Sequence, residues 1–144
     1  MEHSVGIIPF HISENEPIKY FVGHPGGKFW ANRNFWMFLK GHIEKGETDL
    51  DCAIREFYEE SGIAFSPQSD FISLGTVKQN KHKLVTAFAI NVPKMWDVNR
   101  KCLSMVNDDT PEIDKYDWKT WDELCVCTHP KHTLFYEKIE KEWN

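Results

Sequence analysis

The chain has 144 residues, which is the usual size of one domain, so we expect a single domain over residues 1–144. Its 41% hydrophobic and 27% charged residues are typical of a soluble globular protein and exclude collagen-like, disordered and disulfide-scaffold classes. The net charge of -5 gives no general attraction for polyanions, so we expect neither a long nucleic acid nor a membrane as partner. With no long apolar run and no signal-peptide pattern, the chain is expected to be cytoplasmic.

The first part of the chain predicts a β-hairpin followed by an irregular loop. Residues 4–12 are predicted as a strand, in which Pro9 indicates an edge position or a bulge. Polar turn residues occupy 13–17, and residues 18–23 form the return strand. The next segment, 24–34, is rich in glycine and aromatic residues and is predicted as a loop.

The rest of the chain predicts two helices and three strands. The spacing of Leu50, Ala53, Ile54 and Phe57 predicts a helix over 48–61 that Gly62 ends. Strands are expected at 71–79, at 84–92 with both faces covered, and near 115–120; a long connection over 93–111 and a terminal helix over about 130–143 complete the chain. This pattern indicates an α/β fold with a mixed sheet flanked by helices.

Three glutamates give the first helix its chemistry. At about 100° per residue, Glu56, Glu59 and Glu60 lie on one side, roughly opposite the apolar stripe. Their charges repel one another, and a divalent cation would relieve this repulsion. Oxygen-only ligands favour Mg²⁺ or Mn²⁺. The alternative is a solvated acidic helix face.

The wider segment decides between these interpretations. Residues 41–63 fit the pattern G-x5-E-x7-R-E-U-x-E-E-x-G-U at every defined position, namely Gly41, Glu47, Arg55, Glu56, Phe57, Glu59, Glu60, Gly62 and Ile63. At average residue usage, such a match arises by chance on the order of once in 10⁹ start positions. The sequence therefore resembles the Nudix hydrolase family.

This resemblance implies a fold and a metal site. The fold is an α/β/α sandwich around a mixed sheet, with the motif as a loop-helix-loop. Glu59 and Glu60 match the main metal ligands, Glu56 matches a further ligand or the base, and a loop carbonyl of Lys40 or Gly41 matches another ligand. Arg55 matches a residue of the family's catalytic site that pairs with Glu47 and so orients the loop and the helix. Gly62 matches the glycine that ends the helix.

The resemblance also implies an activity, the metal-dependent hydrolysis of a pyrophosphate bond in a nucleoside diphosphate-linked small molecule. Nucleoside triphosphates, nucleotide sugars and dinucleoside polyphosphates are the candidate substrates. Two glutamates are candidates for the general base, Glu56 in the motif and Glu112, which lies in a segment resembling a late loop of the family. The alternative for Glu112 is an ordinary loop acid.

Substrate contacts are expected from residues before the motif. Lys40 is placed to meet a phosphate, unless it is an ordinary surface lysine. The segment from His24 to Trp30 resembles one found in a subgroup of small Nudix proteins. Phe29 and Trp30 there either stack on a base or, with Trp36, pack the loop onto the sheet.

Three other functions stay open at this point. An RNA 5′-end pyrophosphohydrolase or decapping activity would use the small basic cluster of Lys78, Lys81 and Lys83, although the net charge argues against a long RNA track. A non-catalytic nucleotide-sensing domain is the second. A zinc module is the third, with ligands Cys125, Cys127, His129 and His132; the alternative there is a strand end with alternating thiols before a helix.

Overall fold

The computed structural model describes residues 1–144 and consists of one large sheet, a small hairpin and three helices. The strands are β1 Glu2–His11, β2 Lys19–Pro25, β3 Leu39–His42, β4 Ile72–Asn80, β5 Lys83–Asn91, β6 Met105–Asn107, β7 Thr110–Pro111 and β8 Ile113–Thr120. The helices are α1 Asp49–Ser61, α2 Trp121–Leu124 and α3 Thr133–Trp143, and a 3₁₀ turn at Pro130–His132 leads into α3. No helix reaches the length and apolarity that spanning a membrane requires.

The large sheet has the order β4-β5-β1-β2-β8, and the short β3 also pairs with β1. β1 runs parallel to β5, and the other pairs in this sheet are antiparallel. β6 and β7 form a separate hairpin inside the long connection between β5 and β8. The sheet is therefore mixed, as the sequence predicts.

Both faces of the sheet are covered. In β1, Val5 and Ile7 face the cluster that contains Phe57 of α1, whereas Ile8 and Phe10 face the cluster that contains Phe135 of α3. This alternation follows from the period of two residues in a strand. The two helices thus bury opposite faces, which confirms the sandwich.

Helix α1 begins and ends as the sequence predicts. The Thr48 hydroxyl accepts a hydrogen bond from Asp51 N at the N-terminus. Gly62 has a φ of 77° and donates its N–H to Tyr58 O at the C-terminus. Glycine adopts this left-handed conformation without the cost that a Cβ would bring.

Two expectations are wrong. β1 is an inner strand, not an edge strand, and Pro9 lies between Ile7, which pairs with β3, and Phe10, which pairs with β2. The proline therefore stands where one partner strand gives way to another. The segment of Cys125 and Cys127 is not a strand end, because it directly follows the short helix α2, of which Cys125 is the C-cap.

Candidate active site

Three carboxylates meet in one cavity, which Gly41 also lines. Glu56 and Glu60 come from α1 and Glu112 from the segment just before β8, and one oxygen of each lies within 4.8 Å of the others. Glu56 is 9% exposed and Glu60 is 3% exposed. This is the only group of three or more metal-ligating side chains in the structure that is compact enough to hold an ion.

This burial contradicts the orientation that the helical spacing predicts for Glu56 and Glu60. Glu56 and Glu60 do not lie opposite the apolar stripe, because they share the buried side of α1 with Ala53 and Phe57. The four positions are spaced by three or four residues and so lie on one helix face. α1 packs against β1 and β3 along this face, and Glu112 lies close to Glu56 and Glu60.

Burial destabilises the charged forms of Glu56 and Glu60. Burial, with the charges of Glu56 and Glu112, raises the pKa of Glu60 well above its usual range. Burial also raises the pKa of Glu56, although the Arg55 guanidinium opposes the change. Glu60 Oε1 is buried and has no hydrogen-bond partner. The cluster thus contains carboxylates that repel one another and one acceptor oxygen, Glu60 Oε1, that has no donor.

Glycine 41 allows the approach of Glu56. A Cβ built on Gly41 would overlap the carboxyl group of Glu56, so no other residue fits here without displacing that side chain. Gly41 lies in β3 opposite Val5 of β1, and its carbonyl accepts a weak hydrogen bond from Cys52 Sγ of α1. The motif loop and helix therefore meet at the position where the sequence places a glycine.

Arg55 ties the motif together from the other side. Its Nε donates to Glu47 Oε2 at 2.6 Å and its Nη2 to Glu47 Oε1 at 3.0 Å, in the two-pronged geometry of a strong ion pair. Nη2 also donates to His42 O at 3.0 Å, and Nη1 donates to Glu56 Oε1 at 2.8 Å. The hydrogen bonds from Arg55 lower the pKa of Glu47. One guanidinium thus connects β3, the following loop and α1.

Glu59 occupies a different position from its two neighbours. It lies outside the group of three carboxylates, its side chain is 38% exposed, and it accepts from Arg55 Nη1 at 3.2 Å. The matching of Glu59 to a metal ligand rests on the motif and stays a prediction.

Glu112 is held by a neighbour that the sequence did not single out. Ser104 Oγ donates to Glu112 Oε2 at 2.8 Å, and Glu112 N donates to Ser104 O at 3.0 Å. These bonds span the β6–β7 hairpin. No local pattern signals the contact, since it depends on how the long connection folds back on itself.

Two lysines line the same cavity, which has a volume of about 380 Å³. Lys40 comes from β3, and Lys83 from the start of β5, a residue that was predicted only as part of a basic cluster. Burial and, to a smaller extent, the charge of Lys83 lower the pKa of Lys40 to about 8, although the nearby glutamates oppose this change. Lys78 and Lys81, the other members of that cluster, do not line the cavity.

The loop between β2 and β3, residues 26–38, is rich in aromatic residues and also reaches this cavity; it is called the aromatic loop below. Trp30 lines it, and Phe29 is 64% exposed. Trp36 alone of the three rings packs against the large core cluster. Packing of the whole loop onto the sheet is therefore wrong for Phe29.

The proposed zinc ligands do not assemble into a site. Cys127 Sγ donates to Glu123 O, His129 caps the 3₁₀ turn, and His132 Nε2 bonds to Gln79 Oε1 at 2.9 Å. Cys125 is exposed at the end of α2. No compact group of metal ligands includes any of the four residues.

Comparison with known proteins gives relatives with several activities. The chain is 45% identical over 56 residues, 37% of its length, to mRNA decapping complex subunit 2 of Schizosaccharomyces pombe. It is 26% identical over 139 residues to an RNA pyrophosphohydrolase of Brucella anthropi. This alignment covers 80% of this chain and 73% of that protein. The chain spans only 8% of the yeast protein and 32% of a viral relative.

A solved structure shows the same fold. A C. elegans Ap4A hydrolase binary complex superposes with a TM-score of 0.70 at 16% identity, over 96% of this chain and 95% of that one. The NUDIX domain family model matches residues 19–142, which include the whole motif and all three clustered carboxylates. The chain therefore belongs to the Nudix family.

Proposed function

We propose that this protein is a hydrolase that cleaves a pyrophosphate bond in a nucleoside diphosphate-linked substrate, with a divalent cation held by Glu56, Glu60 and Glu112. The observation that carries the proposal is the approach of these three carboxylates in one cavity, with the cations Lys40 and Lys83 on its lining. Acidic and basic groups side by side suit a substrate that brings its own negative charges together with a metal.

The residues fit a hard cation. Three carboxylates supply oxygen ligands only, and the unpartnered Oε1 of Glu60 offers an acceptor that nothing in the protein satisfies. When bound, Mg²⁺ or Mn²⁺ would neutralise the diphosphate and make a water molecule more acidic. The motif adds Glu59 and a carbonyl of Lys40 or Gly41 as further ligands.

The protein groups divide the remaining work. Lys40 and Lys83 would bind phosphate oxygens, because both line the cavity that contains the carboxylates. Glu56 and Glu112 are the two groups placed to accept the proton of the attacking water. Arg55 and Ser104 would keep these two carboxylates in position through the hydrogen bonds at 2.8 Å that each donates.

A second candidate is hydrolysis at the 5′ end of an RNA. The Brucella relative, which matches over most of both chains, carries that activity in its name. The charge distribution supports it too, since residues 17–43 contain no acid in a chain with 22 Asp and Glu. A negatively charged strand could therefore approach this side of the cavity with little repulsion.

The decisive experiment is a substrate panel. Nucleoside triphosphates, nucleotide sugars, dinucleoside polyphosphates and a 5′-triphosphorylated oligoribonucleotide are each incubated with Mg²⁺, with Mn²⁺ and with EDTA, and the release of phosphate or pyrophosphate is measured. We expect metal-dependent cleavage of at least one of them. Absence of cleavage across the panel would contradict the proposal and favour a sensing role.

A further inference from the structure

The aromatic loop presents a group of rings that the hydrolysis of the pyrophosphate bond does not itself require. Trp30 stacks on Phe35 with ring centroids 4.9 Å apart, and Phe29 meets Trp30 edge to face at 4.8 Å. The guanidinium of Arg33 lies over the Phe29 ring at 4.2 Å from its centroid. Single exposed apolar side chains are common on proteins, but a connected group of rings with a cation against it is less so.

The loop is fixed relative to the carboxylates. His24 is 2% exposed, and its two ring nitrogens lie 2.8 Å from Asp114 Oδ1 and 2.8 Å from Arg33 O. Gly26 N donates to Glu112 O at 2.9 Å. The loop is thus bonded to the segment that carries Glu112, so the rings hold a set position relative to that carboxylate.

Internal bonds hold the shape of the loop. Trp30 N donates to Gly27 O, and Arg33 N donates to Trp30 O. Arg33 Nε donates to Phe29 O at 2.8 Å, which keeps the guanidinium beside the same residue whose ring it covers. A rigid exposed ring loses little entropy when a planar ligand stacks on it.

Two of the rings differ in their relation to the cavity. Trp30 is part of its lining, whereas Phe29 is not and is 64% exposed. A base attached to the phosphates at the carboxylates would therefore meet Trp30 first, and Phe29 would contact a group further along the substrate. The basic residues Lys28 and Arg33, in a stretch without acids, suit the phosphates between two nucleosides.

Resting on the proposed function, we infer that the substrate carries a second nucleoside whose base stacks on Phe29 beside Arg33, while Trp30 holds the base nearest the cleaved phosphates. This chemistry is shared by dinucleoside polyphosphates and by the triphosphorylated 5′ end of an RNA. Mononucleotides and nucleotide sugars lack the second base and gain nothing from Phe29.

Kinetics with three substrates test the inference. Values of kcat/KM are measured for ATP, diadenosine tetraphosphate and a 5′-triphosphorylated pentaribonucleotide with the wild type, Phe29→Ala, Trp30→Ala, Trp30→Phe and Tyr58→Ala. Tyr58 is an exposed aromatic residue on α1 that does not line the cavity and serves as the control. Circular dichroism verifies that each variant is folded.

We expect Phe29→Ala to lower kcat/KM by about tenfold for one or both of the two-nucleoside substrates and by less than about twofold for ATP. The arm that responds identifies the source of the second nucleoside. Trp30→Ala lowers kcat/KM for all three substrates, Trp30→Phe restores most of it, and Tyr58→Ala changes none. An equal effect of Phe29→Ala on ATP, or no effect on either longer substrate, overturns the inference.

A binding measurement separates this inference from the proposed function. Fluorescence anisotropy of the same pentaribonucleotide, labelled at its 3′ end, is recorded in EDTA, where metal-dependent cleavage cannot proceed. Weaker binding by Phe29→Ala than by Tyr58→Ala supports the stacking site even if the substrate panel shows no hydrolysis. Hydrolysis in the panel, with equal binding by both variants and no effect of Phe29→Ala on kcat/KM, leaves the proposed function intact and removes the stacking site.

Discussion

Glu60 carries the least favourable environment of any acid in the cavity. Its Oε1 is buried without a hydrogen-bond partner, and burial with like charges nearby raises its pKa. A protein keeps such a group when a ligand compensates for it, because an unpaired buried charge destabilises the fold. The same side chain is therefore expected to weaken the metal-free protein and to strengthen metal binding.

Replacing Glu60 with glutamine tests both effects. Glu60→Gln removes the charge at nearly constant shape, so we expect metal-dependent turnover to fall by more than about tenfold. The melting temperature in EDTA should be unchanged or higher than that of the wild type, and its rise on adding Mg²⁺ should shrink. Enzyme assays and thermal melts with and without Mg²⁺ provide the measurements.

The matched control is Glu137→Gln, which alters an exposed acid on α3. It should leave turnover and the response of the melting temperature to Mg²⁺ unchanged. Retention of more than about a tenth of the wild-type rate by Glu60→Gln would argue against its role as a ligand.

A second prediction at the scale of one residue concerns Gly41. The Cβ of Gly41→Ala would overlap the Glu56 carboxyl group, so we expect a loss of about 1–3 kcal/mol in the free energy of unfolding together with a loss of turnover. Adding Glu56→Ala removes the overlapping group. The double variant should therefore be more stable than the sum of the two single changes predicts, while staying inactive, as denaturant unfolding and enzyme assays would reveal. Additive losses would mean that the clash is not the cause.

At the scale of elements, the loop and helix of the motif are joined chiefly by one side chain. The Arg55 guanidinium contacts Glu47 through two nitrogens and also reaches His42 O and Glu56. A lysine keeps the charge but has a single donor group, which cannot reproduce this fork. The geometry of the linkage, more than its charge, should therefore matter.

Arg55→Lys is expected to lower turnover by about ten- to a hundredfold and to raise the Mg²⁺ concentration needed for half-maximal rate, as is typical when the partners of metal ligands are changed. Glu47→Gln should act in the same direction. Because both changes break one linkage, the double variant should be little worse than Arg55→Lys alone. Magnesium titrations of the initial rate measure the effect, and multiplied losses in the double variant would argue for independent roles.

Elements with a strong periodic pattern could be predicted from the sequence, whereas the shortest elements have no such pattern. The helix expected over 48–61 spans Asp49–Ser61, and the strands expected at 71–79 and 84–92 span Ile72–Asn80 and Lys83–Asn91. The four-residue strand β3 and the four-residue helix α2 were missed, because such segments form through tertiary pairing more than through periodicity. A capping box from Thr120 to Glu123 marks the start of α2 and was a usable signal.

The candidate site divides in the same way. Glu56 and Glu60 follow from the motif, and Glu112 follows from its resemblance to a family loop. Lys83 could not be assigned to the cavity from sequence, because it lies there through the parallel pairing of Glu2 in β1 with Lys83 in β5. Contacts between residues so far apart in the chain depend on sheet order, which no local spacing encodes.

At the scale of the whole molecule, the terminal helix is attached to the sheet partly through a buried histidine. His132 is 1% exposed at the start of α3, and its Nε2 donates to Gln79 Oε1 of β4 at 2.9 Å. Its Nδ1 is buried without a partner, and the Phe38 ring lies 5.1 Å away. The ring is neutral in this setting, since a second proton on Nδ1 would have no acceptor.

Burial, together with the positive charges of Lys40, His129 and Lys83, lowers the pKa of His132 to about 3. In the unfolded chain the same imidazole has a pKa of about 6.5. Between these values the unfolded state binds more protons than the folded state, so stability from this group is present above about pH 6.5 and is lost as the pH falls. Over two pH units this amounts to about 2–3 kcal/mol.

His132→Gln keeps a polar group that can reach Gln79 and removes the titration. We expect the wild type to lose more stability than this variant between pH 7 and pH 4.5, so that the two unfolding free energies converge or cross as the pH falls. His82→Gln, an exposed position, should follow the wild type. Denaturant unfolding at several pH values measures the difference. Parallel curves for the wild type and His132→Gln would mean that acid destabilises the fold through its other titrating groups, and that the contact of His132 with β4 is insensitive to protonation.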